Sequence, residues 1–127
     1  MPGTIEILAL ADPSEVQSFP LGRFELFRIG GLQIGRAIYE PGWRWTQHIR
    51  PTAGTELCEV EHVGLVLAGR AVARMRDGSE IIMKPGDLFS IPPSHDSWVI
   101  GTQRYESLHM LGADRYARLG STTGQPG

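Results

Sequence analysis

Cysteine is almost missing from this chain of 127 residues: Cys58 stands alone, so no internal disulfide can form and stability must come from packing. No apolar run approaches the length needed to span a bilayer, and the N-terminus has neither a basic region nor a cleavable apolar stretch. A cytoplasmic location therefore follows by default. Basic residues are few and scattered. Twelve Lys and Arg against fourteen Asp and Glu give a net charge of -2, and no block of positive charge exists. Nucleic acid and anionic membranes are excluded as partners on that ground. The chain also lacks a convincing long helix and any internal repeat.

Glycine and proline are plentiful instead, at 16 and 9 residues, and they lie between apolar runs as frequent turns. Ile5 to Leu10 reads as an edge strand, and Asp12-Pro13 as a turn or single helical turn. Phe24–Ile29 and Leu32–Tyr39 alternate in polarity about Gly30-Gly31, the pattern of a hairpin. After the Glu40-Pro41-Gly42 turn, Arg44–Ile49 reads as a strand and residues 51–59 as a long loop. Val60–Leu67, Ala71–Arg76, Ser79–Met83, Leu88–Ile91, Trp98–Ile100 and Tyr105–Leu111 read as further strands. Asp77-Gly78 is a two-residue hairpin turn, and Lys84-Pro85-Gly86-Asp87 another turn. Turn signals about every ten residues imply one antiparallel all-β domain, a sandwich or barrel. The expected division is an N-terminal arm over 1–30, a barrel over 31–112 and a frayed tail over 113–127.

Three of the four histidines, His48, His62 and His95, fall on or beside short strands with glycine turns between them. Imidazoles brought together from separate strands imply a metal site inside a barrel. Alternation places Thr46, His48 and Arg50 on one face of their strand, and His62, Gly64 and Val66 on one face of the next. Small Gly64 would leave room for a ligand.

Around these residues the chain resembles the cupin superfamily. Gly42 is followed by five residues and His48, and His62 by six residues and Gly69. Gly86 is followed by five residues and Pro92, with His95 beyond it, and Pro85-Gly86-Asp87 supplies the preceding turn. The resemblance implies a jelly-roll β-barrel that pairs as a homodimer. It implies a metal held by His48, His62 and His95, with Arg50 where the family has another histidine and His62 where it has glutamate. The fold hosts dioxygenases, isomerases, cyclases, lyases and sensors, so the resemblance names no reaction.

A site of three imidazoles suits a divalent metal, zinc ahead of iron, with positions left open for water or substrate. Arg50 cannot ligate and would anchor a substrate carboxylate or phosphate, or pair with Glu56, Glu59 or Glu61. Cys58 is a possible fourth ligand, yet residues four apart on an extended strand lie about 13 Å apart, so only a curled loop would bring it to His62. Glu56 and Glu59 are loop carboxylates within reach of acid-base work, Asp96 is a supporting or turn residue, and His109 packs or faces solvent. Trp43, Trp45 and Trp98 wall a pocket or fill the core. The expected function is a metal-dependent enzyme for a small anionic or carbonyl-bearing metabolite. A ligand-binding or sensor module, and a metal-free acid-base enzyme using the barrel histidines, are the alternatives.

Overall fold

In the computed structural model, residues 3–113 are described. The strands are β1 (Glu15–Phe19), β2 (Gly22–Ile29), β3 (Leu32–Tyr39), β4 (His62–Ala68), β5 (Arg70–Met75), β6 (Glu80–Met83), β7 (Leu88–Ile91), β8 (His95–Ile100) and β9 (Tyr105–Leu111). Two short helical turns, α1 (Trp45–His48) and α2 (Arg50–Ala53), lie between β3 and β4. One sheet runs β1-β2-β3-β9-β4-β7, the other β6-β5-β8, and every pairing is antiparallel. Apolar side chains from both sheets, among them Phe24, Leu26, Val66 and Phe89 from the first and Ala71, Ala73, Met83 and Val99 from the second, form one core. This is the expected all-β jelly roll.

Local chemistry accounts for the turns. Gly30 and Gly31 both take positive φ, 59° and 76°, as a two-residue turn matching strand twist requires. At the β5–β6 turn the Asp77 carboxylate accepts from the Ser79 amide at 2.9 Å, and Gly78 takes φ 91°. The division expected at residue 30 falls inside the β2–β3 hairpin. These strands pair over eight residues, and Phe24 and Leu26 enter the common core, so the arm is part of the barrel wall. Apart from Ala113, the expected tail lies outside the described residues.

Two expected strands are not formed. Ile5 to Leu10 joins no sheet, and Ile5 and Ile7 are wholly exposed. Within Arg44–Ile49, where alternation suggested a strand, Trp45–His48 is helical. Trp45 and Ile49, four apart, are both buried, while Gln47 and Arg50 are exposed, so the operative period is that of a helix. The Asp96 carboxylate holds the start of α1 by accepting from the Thr46 amide at 3.1 Å, and Gly54, left-handed at φ 79°, ends α2. Among the described residues no helix is long and apolar enough to cross a membrane.

Candidate metal centre

The inner face of the large sheet sets the site. Cross-strand pairing aligns Leu26, Gly35, His109, Gly64 and Phe89 in one row over β2, β3, β9, β4 and β7. The two glycines are small because rings cross them. A Cβ on Gly35 would meet the Phe24 ring, and one on Gly64 would collide with the Leu108 carbonyl and the Phe89 ring. Gly64 therefore admits protein side chains, and the space expected there for a ligand is filled. Phe24 and Phe89 hold the His109 imidazole edge-on, at centroid distances of 5.3 and 5.6 Å.

His62 opens β4 on the same face. Its ring stands 5.1 Å from that of His109 and 5.2 Å from that of His95, which opens β8 on the opposite sheet. The segment before His95 is turned by Pro92-Pro93-Ser94, with Ser94 in the left-handed region at φ 73°. That turn is tied to the long loop by three backbone hydrogen bonds. The Cys58 amide donates to the His95 carbonyl at 2.8 Å, and the Ser94 and His95 amides donate to the Cys58 carbonyl at 2.8 and 3.2 Å. The loop thus curls back before β4 begins. Cys58 Sγ lies 3.5 Å from His62 Nε2, against the extended-strand separation that argued against it.

One ligand atom from each of Cys58, His62 and His95 lies within 4.8 Å of the others, and all three residues are buried. On a tetrahedral zinc, bonds of about 2.3 Å to sulfur and about 2.0 Å to nitrogen place two such ligands about 3.5 Å apart. The Cys58–His62 separation matches this. The donor set, one thiol and two imidazoles, suits a borderline-soft divalent ion. His95 Nδ1 donates to the Pro92 carbonyl at 2.7 Å, which leaves Nε2 with its lone pair, the arrangement a ligating imidazole needs. The residues fit a metal.

The imidazoles are held neutral. Burial pushes the His62 pKa well below its ordinary value, with the neighbouring His109 and His95 adding to the effect. Burial also lowers His95, against the opposing pull of its bond to Pro92. His109, wholly enclosed and beside His95, is pushed down to about 3. Its Nε2 shares a 3.0 Å hydrogen bond with Ser107 Oγ. Burial raises the Tyr105 phenol to about 12, partly offset by its hydrogen bond to Ser107. A cavity of about 30 Å³ lies among these groups, lined by the three buried histidines, by Trp43, Tyr39, Phe89 and Tyr105, and by neither Lys, Arg, Asp nor Glu.

Other expected site residues stand elsewhere. His48 turns its Nδ1 to the Arg44 backbone, 3.0 Å from the amide and 3.1 Å from the carbonyl, and is absent from the cluster. Its place was inferred from strand alternation and from the five-residue spacing after Gly42, and the chain there is helical. Arg50 is exposed on α2, also outside the cavity lining. Glu56 is exposed and pairs with Arg76 at 2.9 Å. Glu59 accepts from Ser94 Oγ at 2.8 Å and so braces the turn before His95. The Asp96 carboxylate accepts from Arg44, Thr46 and Ser97 and so holds α1, and none of these bonds reaches a histidine of the cluster. Trp45 packs in the core, and Trp98 is half-buried beneath the Arg44 guanidinium, 4.3 Å from the ring centroid. Sequence reasoning set His109 apart from the site. Its alternation with Tyr105 and Ser107, all inward, was the signal available.

No protein-family model matches the sequence, and no curated protein does. Solved structures do match. A protein of unknown function from Rhizobium leguminosarum bv. viciae 3841 superposes with a TM-score of 0.60 at 21% identity, over 84% of this chain and 95% of that one. A cupin-like protein from Thermotoga maritima superposes with a TM-score of 0.54 at 15% identity, over 84% and 83% of the two chains. The chain has the cupin fold. Procruciferin, an 11S globulin from Brassica napus, shares it at a TM-score of 0.56 and 17% identity over 83% of this chain and 30% of its own length. At such identities the likeness concerns the fold, and the chemistry of this chain must be read from its own side chains.

Proposed function

We propose that this cupin is a metal-dependent enzyme acting on a small carbonyl- or carboxylate-bearing metabolite, with zinc held by Cys58, His62 and His95. The carrying observation is that these three donors lie within 4.8 Å of one another, with His62 and His95 also in the wall of a cavity. A thiolate beside two imidazoles favours zinc over iron, and three protein ligands leave a position open. When bound, zinc supplies Lewis-acid polarisation of a carbonyl and an activated water. Reaction classes that need no redox change, such as lyase, cyclase or isomerase chemistry, fit that supply better than dioxygenation. Within the cavity His62 and His95 present neutral nitrogens, and Phe89, Ile91, Met83 and Trp43 keep bulk water out. Arg50, Glu56 and Glu59 lie outside the lining, so the polar side chains beside the two histidine ligands are Ser97, Tyr105 and His109, placed to hydrogen-bond a bound molecule.

A second reading, a non-catalytic ligand-binding module, is favoured by the small cavity and the absence of any carboxylate from it. Metal content decides between them. Elemental analysis of protein purified without a tag or chelator is expected to give about one zinc per chain in the wild type and in His48→Ala, and none in Cys58→Ser or His62→Ala. Folded wild-type protein without metal would leave the binding module. We also propose that the protein assembles as a homodimer through the outer face of its larger sheet.

A further inference from the structure

Trp43 lies in the cavity wall beside the two histidines of the metal centre. It is 1% exposed and its ring is fixed, stacked on Tyr39 at 3.7 Å with an interplanar angle of 4°. Its indole Nε1–H is buried and meets no acceptor among the described residues. Such a donor costs stability unless water or a ligand satisfies it. Trp45 has the same lack but takes no part in the cavity lining. The cavity, about 30 Å³, has room for two or three water-sized groups.

Charge narrows the occupant. The lining brings no formal charge of its own, since it lacks Lys, Arg, Asp and Glu, and an imidazole that holds a cation is neutral. With Cys58 as thiolate, a divalent ion there leaves one net positive charge. A buried site of that kind is neutralised by a monoanion and left with excess negative charge by a dianion.

From these features we infer that the cavity receives a monoanionic carboxylate head group, with one oxygen toward the Cys58–His62–His95 centre and the other accepting the Trp43 indole N–H. The inference rests on the metal reading above and makes Trp43 the residue that selects the head group. Neutral carbonyls leave the positive charge unmatched, and phosphate monoesters carry one negative charge too many.

Cobalt(II)-loaded protein, whose visible absorption reports ligands added to the metal, is titrated with formate, chloride and inorganic phosphate. Trp43→Phe keeps an aromatic ring but removes the donor. It is expected to weaken formate about tenfold or more, the loss of one hydrogen bond to a charged group, and to leave chloride within about twofold, since chloride has no second acceptor. Equal formate affinity in the two proteins, or phosphate binding as tightly as formate, would overturn the inference. A second measurement does not depend on that variant folding. In zinc-loaded wild-type protein, one of the three indole N–H resonances is expected to move downfield when formate is added. Trp45→Phe and Trp98→Phe assign it to Trp43 by elimination, and an unmoved Trp43 resonance overturns the inference while the metal reading stands. Protein that takes up neither cobalt nor zinc overturns both, and metal analysis alone detects that case.

Discussion

A histidine enclosed in protein cannot easily take a proton, and three of them here are enclosed together. The consequence is a pH dependence with a fixed sign. In the unfolded chain an imidazole titrates near its ordinary value of 6.5, whereas His109 in the folded protein titrates at about 3. Above 6.5 both states hold the neutral ring and stability is unaffected. Below it the unfolded chain takes up the proton first, and stability falls by about 1.4 kcal/mol per pH unit for each such imidazole until the folded value is reached. His62 and His95, both lowered by burial, add to the slope in the same direction. Metal-free protein is therefore expected to lose stability steeply between pH 6.5 and about 4 in urea titrations. His109→Phe should flatten the slope by about one proton. An unchanged slope in that variant would mean that His109 is not held neutral in the fold.

The element least legible in the sequence is also the one that carries Trp45 and His48. α1 and α2 are four residues each, too short to be helical by themselves. What holds α1 lies fifty residues away in the chain. The Asp96 carboxylate, 5% exposed, accepts from Arg44 Nε at 2.8 Å, from the Thr46 amide and hydroxyl at 3.1 Å each, and from the Ser97 amide at 2.9 Å. No local pattern announces that contact, so alternation over Arg44–Ile49 suggested a strand and, with the spacing after Gly42, drew His48 into the site. Cys58 stayed only a possible fourth ligand for a similar reason, because its neighbour is His95, 37 positions on, through backbone pairing that spacing cannot reveal. The legible parts were the ones with local signatures. His62 and Val66 alternate along β4, Gly30-Gly31 and Asp77-Gly78 mark their hairpins, and Pro85-Gly86-Asp87 marks the turn before β7. Removing the Asp96 carboxylate tests the element directly. Asp96→Ala is expected to cost about 2 kcal/mol in denaturant unfolding, less than a fully buried ion pair because the Arg44 side chain stays partly in water. A loss within about 0.5 kcal/mol would show that α1 is held by Trp45 and Ile49 packing alone.

On the outer face of the large sheet, pairing aligns a row opposite in character to the inner one: Val16, Glu25, Arg36, Leu108, Leu65 and Leu88, one from each strand from β1 to β7. The charges within it cancel. Glu25 accepts from Arg23 and from Arg36 at 2.9 Å each. Beyond them three leucines run to the edge strand, flanked by exposed Leu67 and Met110, and Leu88 at that edge is 76% exposed. A contiguous apolar stripe free of unpaired charge suits a self-complementary contact, in which a second copy covers the same residues about a two-fold axis. The homodimer proposed above is assigned to this stripe. Leu65→Lys with Leu88→Lys places two like charges against their own copies across such an axis, without touching the inward row of His109, Gly64 and Phe89. Sedimentation velocity is expected to give a dimer for the wild type and a monomer for the double variant, with zinc content the same in both. A wild-type monomer, or a dimer untouched by the two lysines, would remove the stripe from the interface and leave the metal centre a property of the single chain.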